Sequence, residues 1–151
     1  MKPLLVRRER MVTLPADVLW QFVEPADTLP SWLSFVVRAG HPNGKGVGRR
    51  QRATLSWGGR EVEIEQEVTL YEPAKAIAWK HVAGKTALPP DLDGISMSVT
   101  IEEMGPATRV LIAARVTLPT FGAAMKHRFV TKRRLGKAFD RALAILASVG
   151  G

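Results

Sequence analysis

TFGAAMKHRFVTKRRLGKAFDRALAILASV, residues 120–149, is the longest run of helical period in the chain, and its reading decides the fold. At roughly 100° per residue, Phe121, Met125, Phe129, Leu135, Phe139, Leu143 and Leu146 are expected on one side of a helix. Lys126, Arg133, Arg134, Lys137 and Arg141 are expected on the other. Thr120 after Pro119 serves as the N-cap and Gly150-Gly151 as the stop, giving about eight turns where an average globular helix has about three. A helix of that length needs a large apolar surface to lie on. Three residues interrupt its pattern. Arg128 and Lys132 project among the apolar positions, and Gly136, costly by about 1 kcal/mol relative to Ala in a helix interior, marks a bend or a close contact.

Working back from this helix, the chain supplies such a surface as a series of alternating runs. Val110, Ile112, Ala114, Val116 and Leu118 form one strand pattern, and Met97, Val99 and Ile101 form another across the Gly105-Pro106 turn. Ile77, Trp79 and His81 alternate with Ala78, Lys80 and Val82. The clearest alternation places Val62, Ile64, Gln66, Val68 and Leu70 on one face and Glu61, Glu63, Glu65, Glu67 and Thr69 on the other. Those glutamates read as a solvated face offering cross-strand partners to Arg50 and Arg52, since side chains pointing away from the core are poorly placed for paired acid and base catalysis. Gly58-Gly59 joins this run to Ala53, Leu55 and Trp57 as a two-residue hairpin. His41 to Gly48 reads as a turn, and its Gly-x-Gly-x-Gly is no phosphate cradle because a strand follows it, not a helix.

Nearer the N-terminus, Phe35-Val36-Val37 begins a strand and residues 3–14 read as another, ended by Pro15 where proline can open a helix. Val18, Leu19, Phe22 and Val23 give that short helix a buried side, and Asp27 to Leu33 forms a second helical turn. Residues 84–95 have no period and read as a long, functional loop. Asp91 and Asp93 within it lack the remaining ligands of a calcium loop.

At 151 residues with 46% hydrophobic content, the chain has the size and core of one domain, taken as 1–151. With no cysteine, disulfides, thiolate nucleophiles and cysteine-ligated metals are excluded. The N-terminal residues form no continuous apolar segment and no run reaches membrane-span length, so the reading is a cytoplasmic protein without a transmembrane segment. A net charge of +8 favours an anionic partner, for which the outer cationic stripe of the terminal helix is the candidate face: RNA, an acidic protein or an anionic membrane.

The order is strand, two short helices, six strands, long helix. Strands joined by short turns pair antiparallel, so the expected fold is α+β: a seven-stranded, strongly curved antiparallel sheet wrapped around the C-terminal helix, with two short helices between strands 1 and 2. The punctuation of this order resembles the START-like or SRPBCC superfamily, the helix-grip fold of polyketide cyclase/dehydrase-like and lipid-transport proteins. The resemblance is carried by Leu14-Pro15-Ala16-Asp17-Val18-Leu19-Trp20, Leu29-Pro30-Ser31-Trp32, Gly46-Val47-Gly48, Glu67 to Tyr71-Glu72-Pro73, and Gly105-Pro106-Ala107-Thr108-Arg109-Val110. It implies an elongated apolar cavity between sheet and helix that takes a lipid, polyketide or quinone-like molecule, and in a minority of members an enzyme.

The candidate ligand-binding residues follow from these faces. Trp57, Trp79, Met97, Met125 and Phe129 would hold an apolar tail, or else fill the core by their spacing alone. Arg128 and Lys132, one turn apart, would hold an anionic head at the cavity mouth, or else snorkel to solvent. Gln66 is inward-facing and needs a partner, from a neighbour or from a ligand. His81 is the one catalytic candidate, an acid or base in the cavity or a histidine bonded within the core. No two of the three histidines have metal-ligand spacing, and no cofactor is expected.

Overall fold

The computed structural model describes residues 3–82, 95–117 and 121–149, with backbone alone for 121–127. The elements are β1 (Leu4–Val12), α1 (Ala16–Val23), a 3-10 turn (Ala26–Thr28), α2 (Leu29–Trp32), β2 (Val36–Asn43), β3 (Arg50–Trp57), β4 (Arg60–Glu72), β5 (Ala76–Val82), β6 (Ile95–Met104), β7 (Ala107–Val116) and α3 (Phe121–Ser148). The strands form one antiparallel sheet in the order β1-β7-β6-β5-β4-β3-β2. The helix-grip architecture expected from the alternation is present. Of the segment read as a loop at 84–95, Ile95 opens β6, while 84–94 and the caps at Thr120 and Gly150-Gly151 lie outside the described residues.

Alternation along each strand decides which side chains are buried. In β4, Val62, Ile64, Gln66 and Val68 are buried while Glu61 and Glu63 are exposed. The outer face is laced by ion pairs: Arg50 reaches Glu65 at 3.3 Å and Glu67 at 3.2 Å, and Lys80 reaches Glu67 at 3.2 Å. The Lys80 ammonium, aided by Arg50, holds the Glu67 carboxyl below its ordinary pKa. Arg52 stands opposite Glu65 in register, but among the described residues only Arg50 and Lys80 pair with the glutamates of this strand beyond Arg38 at Glu61. Gly58 and Gly59 both have positive φ, +59° and +79°, the conformation a tight hairpin of this twist requires.

Two local readings differ. The segment from His41 to Asn43 belongs to β2 and not to the turn, because a bulge carries the strand on: register shifts between Gly40 and Asn43, and His41 takes φ +53°. The buried stripe of α3 is Thr131, Leu135, Ala138, Phe139, Ala142, Leu143 and Leu146. Phe129 is 69% exposed and Lys132 is also on the solvent side. Six residues separate Phe129 from Leu135, which leaves them about 120° apart on a regular helix, whereas Arg128, seven before Leu135, is nearly in line with it. Arg128 is accordingly half-buried.

The helix lies against β1, β7 and α2. Gly136 makes the close contact on this side: a Cβ there would stand 2.6 Å from Nη2 of Arg8 on β1, so the contact is with a strand and not over a cavity. Arg8 also reaches Asp140 at 3.2 Å. At the other end of the sheet, the first free N–H of α1, at Ala16, donates to the Glu103 carboxylate at 3.2 Å, an anionic cap supplied from β6. Among the described residues no helix is long and apolar enough to cross a membrane.

Candidate functional site

The inner face of β3 continues the alternation of Ala53, Leu55 and Trp57 backwards, so Gln51 and Arg49 also point inward and are buried, 1% and 6% exposed. A guanidinium at that depth requires partners. Arg49 Nη1 donates to Glu24 Oε1 at 2.5 Å, Nη2 donates to the Glu24 backbone carbonyl at 2.7 Å, and Nε donates to Gln51 Oε1 at 3.1 Å. Glu24 closes α1, so Arg49 places a cation at that helix's C-terminal carbonyls, where the dipole favours one.

From Arg49 a hydrogen-bonded row crosses the sheet. Gln51, Gln66 and His81 are successive register partners on β3, β4 and β5. Gln51 Nε2 donates to Gln66 Oε1 at 2.9 Å. The row has a direction. Arg49 has donors only, so it fixes the Gln51 oxygen towards itself; the Gln51 amide nitrogen then faces the Gln66 oxygen, and the Gln66 amide nitrogen is left pointing onward. Beside it, Trp79 is 2% exposed, and its buried indole N–H has no hydrogen-bond partner among the described residues. Met97, also 2% exposed, stands opposite Trp79 in register. The interior of the sheet therefore presents an unmet donor, the Trp79 N–H, on the strand that carries His81.

Tyr71 completes the outer end of the row. Its hydroxyl donates to Glu24 Oε1 at 3.4 Å, and its ring stands edge-on to Trp20. Burial, reinforced by the Glu24 charge, raises its pKa above the ordinary 10.0. The folded state thus holds the phenolic proton more tightly than the unfolded chain, and the stability this gives is complete below the unfolded pKa and lost as pH rises through the folded one. Urea midpoints of the wild type should therefore fall from about pH 10 upward. In Tyr71→Phe the fall over that window should be shallower, while the two proteins differ little at neutral pH.

The structure brings together Gln66, Trp79, His81 and Met97 from the residues expected in the site. Trp57 is buried at the far end of β3, with Phe35 edge-on at 5.6 Å and the Arg134 guanidinium 5.5 Å from its ring centroid. Arg128 sits half-buried on the inward line of α3, one turn before the buried Thr131. Lys132 and Phe129 are not brought to the interior, and the side chain of Met125 lies outside the described residues. Arg49, Gln51 and Glu24 were missed by the sequence reading. The signal for the first two was the strand alternation itself, extended four positions before Ala53. Among the described residues, no three His, Asp or Glu side chains gather as a metal-binding group.

Comparison with solved structures places this architecture among aromatase/cyclases and other helix-grip proteins. The di-domain ARO/CYC StfQ from the steffimycin biosynthetic pathway superposes with TM-score 0.78 at 13% identity, over 97% of this chain and 50% of that one, so this chain spans half of StfQ. The Zhui aromatase/cyclase from Streptomyces sp. R1128 gives 0.76 at 13% identity over 95% of this chain and 91% of its own. TTHA0849 from Thermus thermophilus gives 0.75 at 17% identity over 95% and 94%. At such identities the likeness is one of fold. No curated protein matches the sequence. The family model for polyketide cyclase / dehydrase and lipid transport matches residues 3–150, nearly the whole chain, and the protein therefore belongs to that family.

Proposed function

We propose that the protein binds a hydrophobic small molecule carrying acceptor oxygens, of lipid, polyketide or quinone type, between the sheet and α3. The observation that carries this reading is the buried Trp79 N–H, which has no hydrogen-bond partner among the described residues and stands beside the directed row from Arg49 through Gln51 to Gln66. A buried donor of this kind costs free energy unless an acceptor meets it, and a carbonyl, carboxylate or phenolic oxygen of a ligand is such an acceptor. The surrounding Val68, Met97 and Ile77 supply an apolar lining.

Native mass spectrometry of freshly purified protein should detect a co-purified small molecule. Calorimetric titration with a hydroxylated anthraquinone should give saturable binding. Trp79→Phe, which deletes the N–H and keeps most of the ring, should fold normally and bind about five-fold more weakly, the value of one neutral hydrogen bond. Equal affinity of wild type and Trp79→Phe would remove the indole from the site, and no binding of any such probe would end the reading.

A cyclase/dehydrase role is favoured by one further observation: His81, 6% exposed, lies opposite Gln66 in the same row, where an imidazole could move a proton on a polyketide-like substrate. Turnover that survives His81→Ala would leave binding alone.

A further inference from the structure

A second concave site lies outside the grip, between the β3–β4 hairpin, the segment joining α2 to β2, and the basic face of α3. It encloses about 400 Å³. Arg134, Lys137 and Arg141 line it from the helix. Their spacing of three and seven residues puts them on one side over about 10 Å of helix. Ser34 and Phe35 close it from the segment that joins α2 to β2. Arg134 is held in place, not left to sweep the solvent: its guanidinium stacks over Trp57, and its Nη1 would be only 3.4 Å from a Cβ on Gly58.

The charge of this cleft is uncompensated. Asp140 is the one acidic residue of α3, and it pairs with Arg8 on β1 at 3.2 Å. Glu61, which stands opposite Ser56 in register, faces Arg38 at 3.9 Å. None of the ion pairs among the described residues includes Arg134, Lys137 or Arg141. Cations on a convex helix face disperse into solvent. Here three converge on a concavity with an aromatic wall, where their mutual repulsion is relieved by a compact polyanion. A planar guanidinium flanked by a second arginine and a lysine matches the oxygens of a phosphate group.

We propose that this cleft binds a phosphate monoester or diphosphate group, with Arg134 as the fixed fork and Lys137 and Arg141 closing on the anion. The group could belong to a soluble phosphorylated compound or to a lipid headgroup, and two probes separate these: inorganic pyrophosphate in calorimetry, and phosphatidylcholine vesicles with and without phosphatidic acid in sedimentation. The cleft variant is Arg134→Gln, Lys137→Gln and Arg141→Gln together. Its charge-matched control is Arg7→Gln, Arg10→Gln and Arg115→Gln on the exposed face of β1 and β7. The double variant Lys137→Gln, Arg141→Gln keeps the Trp57 stack should the triple fold poorly.

Pyrophosphate should bind the wild type and weaken with salt; the cleft variant should lose about ten-fold or more in affinity and the control less than about two-fold. Vesicle binding that needs phosphatidic acid and the cleft cations, with no pyrophosphate binding, would support the proposal and identify a lipid headgroup as the source. Equal losses in cleft and control variants, or binding of neither probe, would overturn it. Gln66, Trp79 and His81 are not among the residues that line the cleft, so anthraquinone binding should be unchanged in the cleft variant and the two readings fail separately.

Discussion

Arg49→Met should lower the free energy of unfolding by about 3 kcal/mol, the cost of breaking one partner out of a buried ion pair. Methionine matches the arginine stem but removes three donors at once. The Glu24 carboxylate, whose side chain is 25% exposed, keeps water and Tyr71 on one side. Gln51 is worse off: it is 1% exposed, and its oxygen loses the only donor that set its orientation. The amide can then turn over, which releases the Gln66 amide from its single direction and should weaken anthraquinone binding beyond the loss in stability. Arg49→Lys keeps the charge but not the fork, and should recover only part of either effect. Urea unfolding measures the first effect and calorimetry on the folded variant the second. A stability loss below about 1 kcal/mol, the scale of a surface pair, would mean the row does not depend on Arg49.

The second large effect lies in the helix. Phe139 is 0% exposed at the centre of the α3 stripe, and Phe139→Ala should cost about 3–5 kcal/mol. Marginal stability of about 5–15 kcal/mol for a domain makes that a loss of order ten degrees in melting temperature. Phe129→Ala, one aromatic earlier but 69% exposed, should change stability by less than about 0.5 kcal/mol. The pair is a direct measure of helix phase, read by differential scanning calorimetry, and equal costs would reject the described rotation of α3.

Strand patterns were legible because a half-buried sheet imposes a period of two, and β3 to β7 express it with few exceptions. Glycine pairs marked the hairpin for the same reason, since Gly58 and Gly59 occupy backbone conformations that other residues avoid. The helix was legible as a helix but not in its rotation: its cations are spread so widely that apolar residues on two different faces, Phe129 and Leu135, could be taken as one stripe. Parity placed Gln66, Trp79, His81 and Met97 on the inner face, and all four are buried. Arg49 and Glu24 were missed, because a charged residue beside a glycine turn, or before a helix-ending proline, reads as solvated. Only the fold brings Glu24 at the end of α1 against the start of β3, and no local pattern encodes that meeting.

The pairing of β1 with β7 has a consequence for how the chain comes to its native state. Leu4 and Val116 are register partners from opposite ends of the strand sequence, while β2 to β7 each pair with their sequence neighbours. The meander can assemble as it leaves the ribosome, but β1 cannot find its place until β7 exists, and α3, resting on β1, follows later still. Loop closure on that scale is slow, and refolding should be of the millisecond-to-second kind typical of sheets dominated by distant pairs. Until then Leu4, Val6 and Val12 stay unsheltered, so the first strand synthesised is the last secured and the segment most open to a chaperone during synthesis.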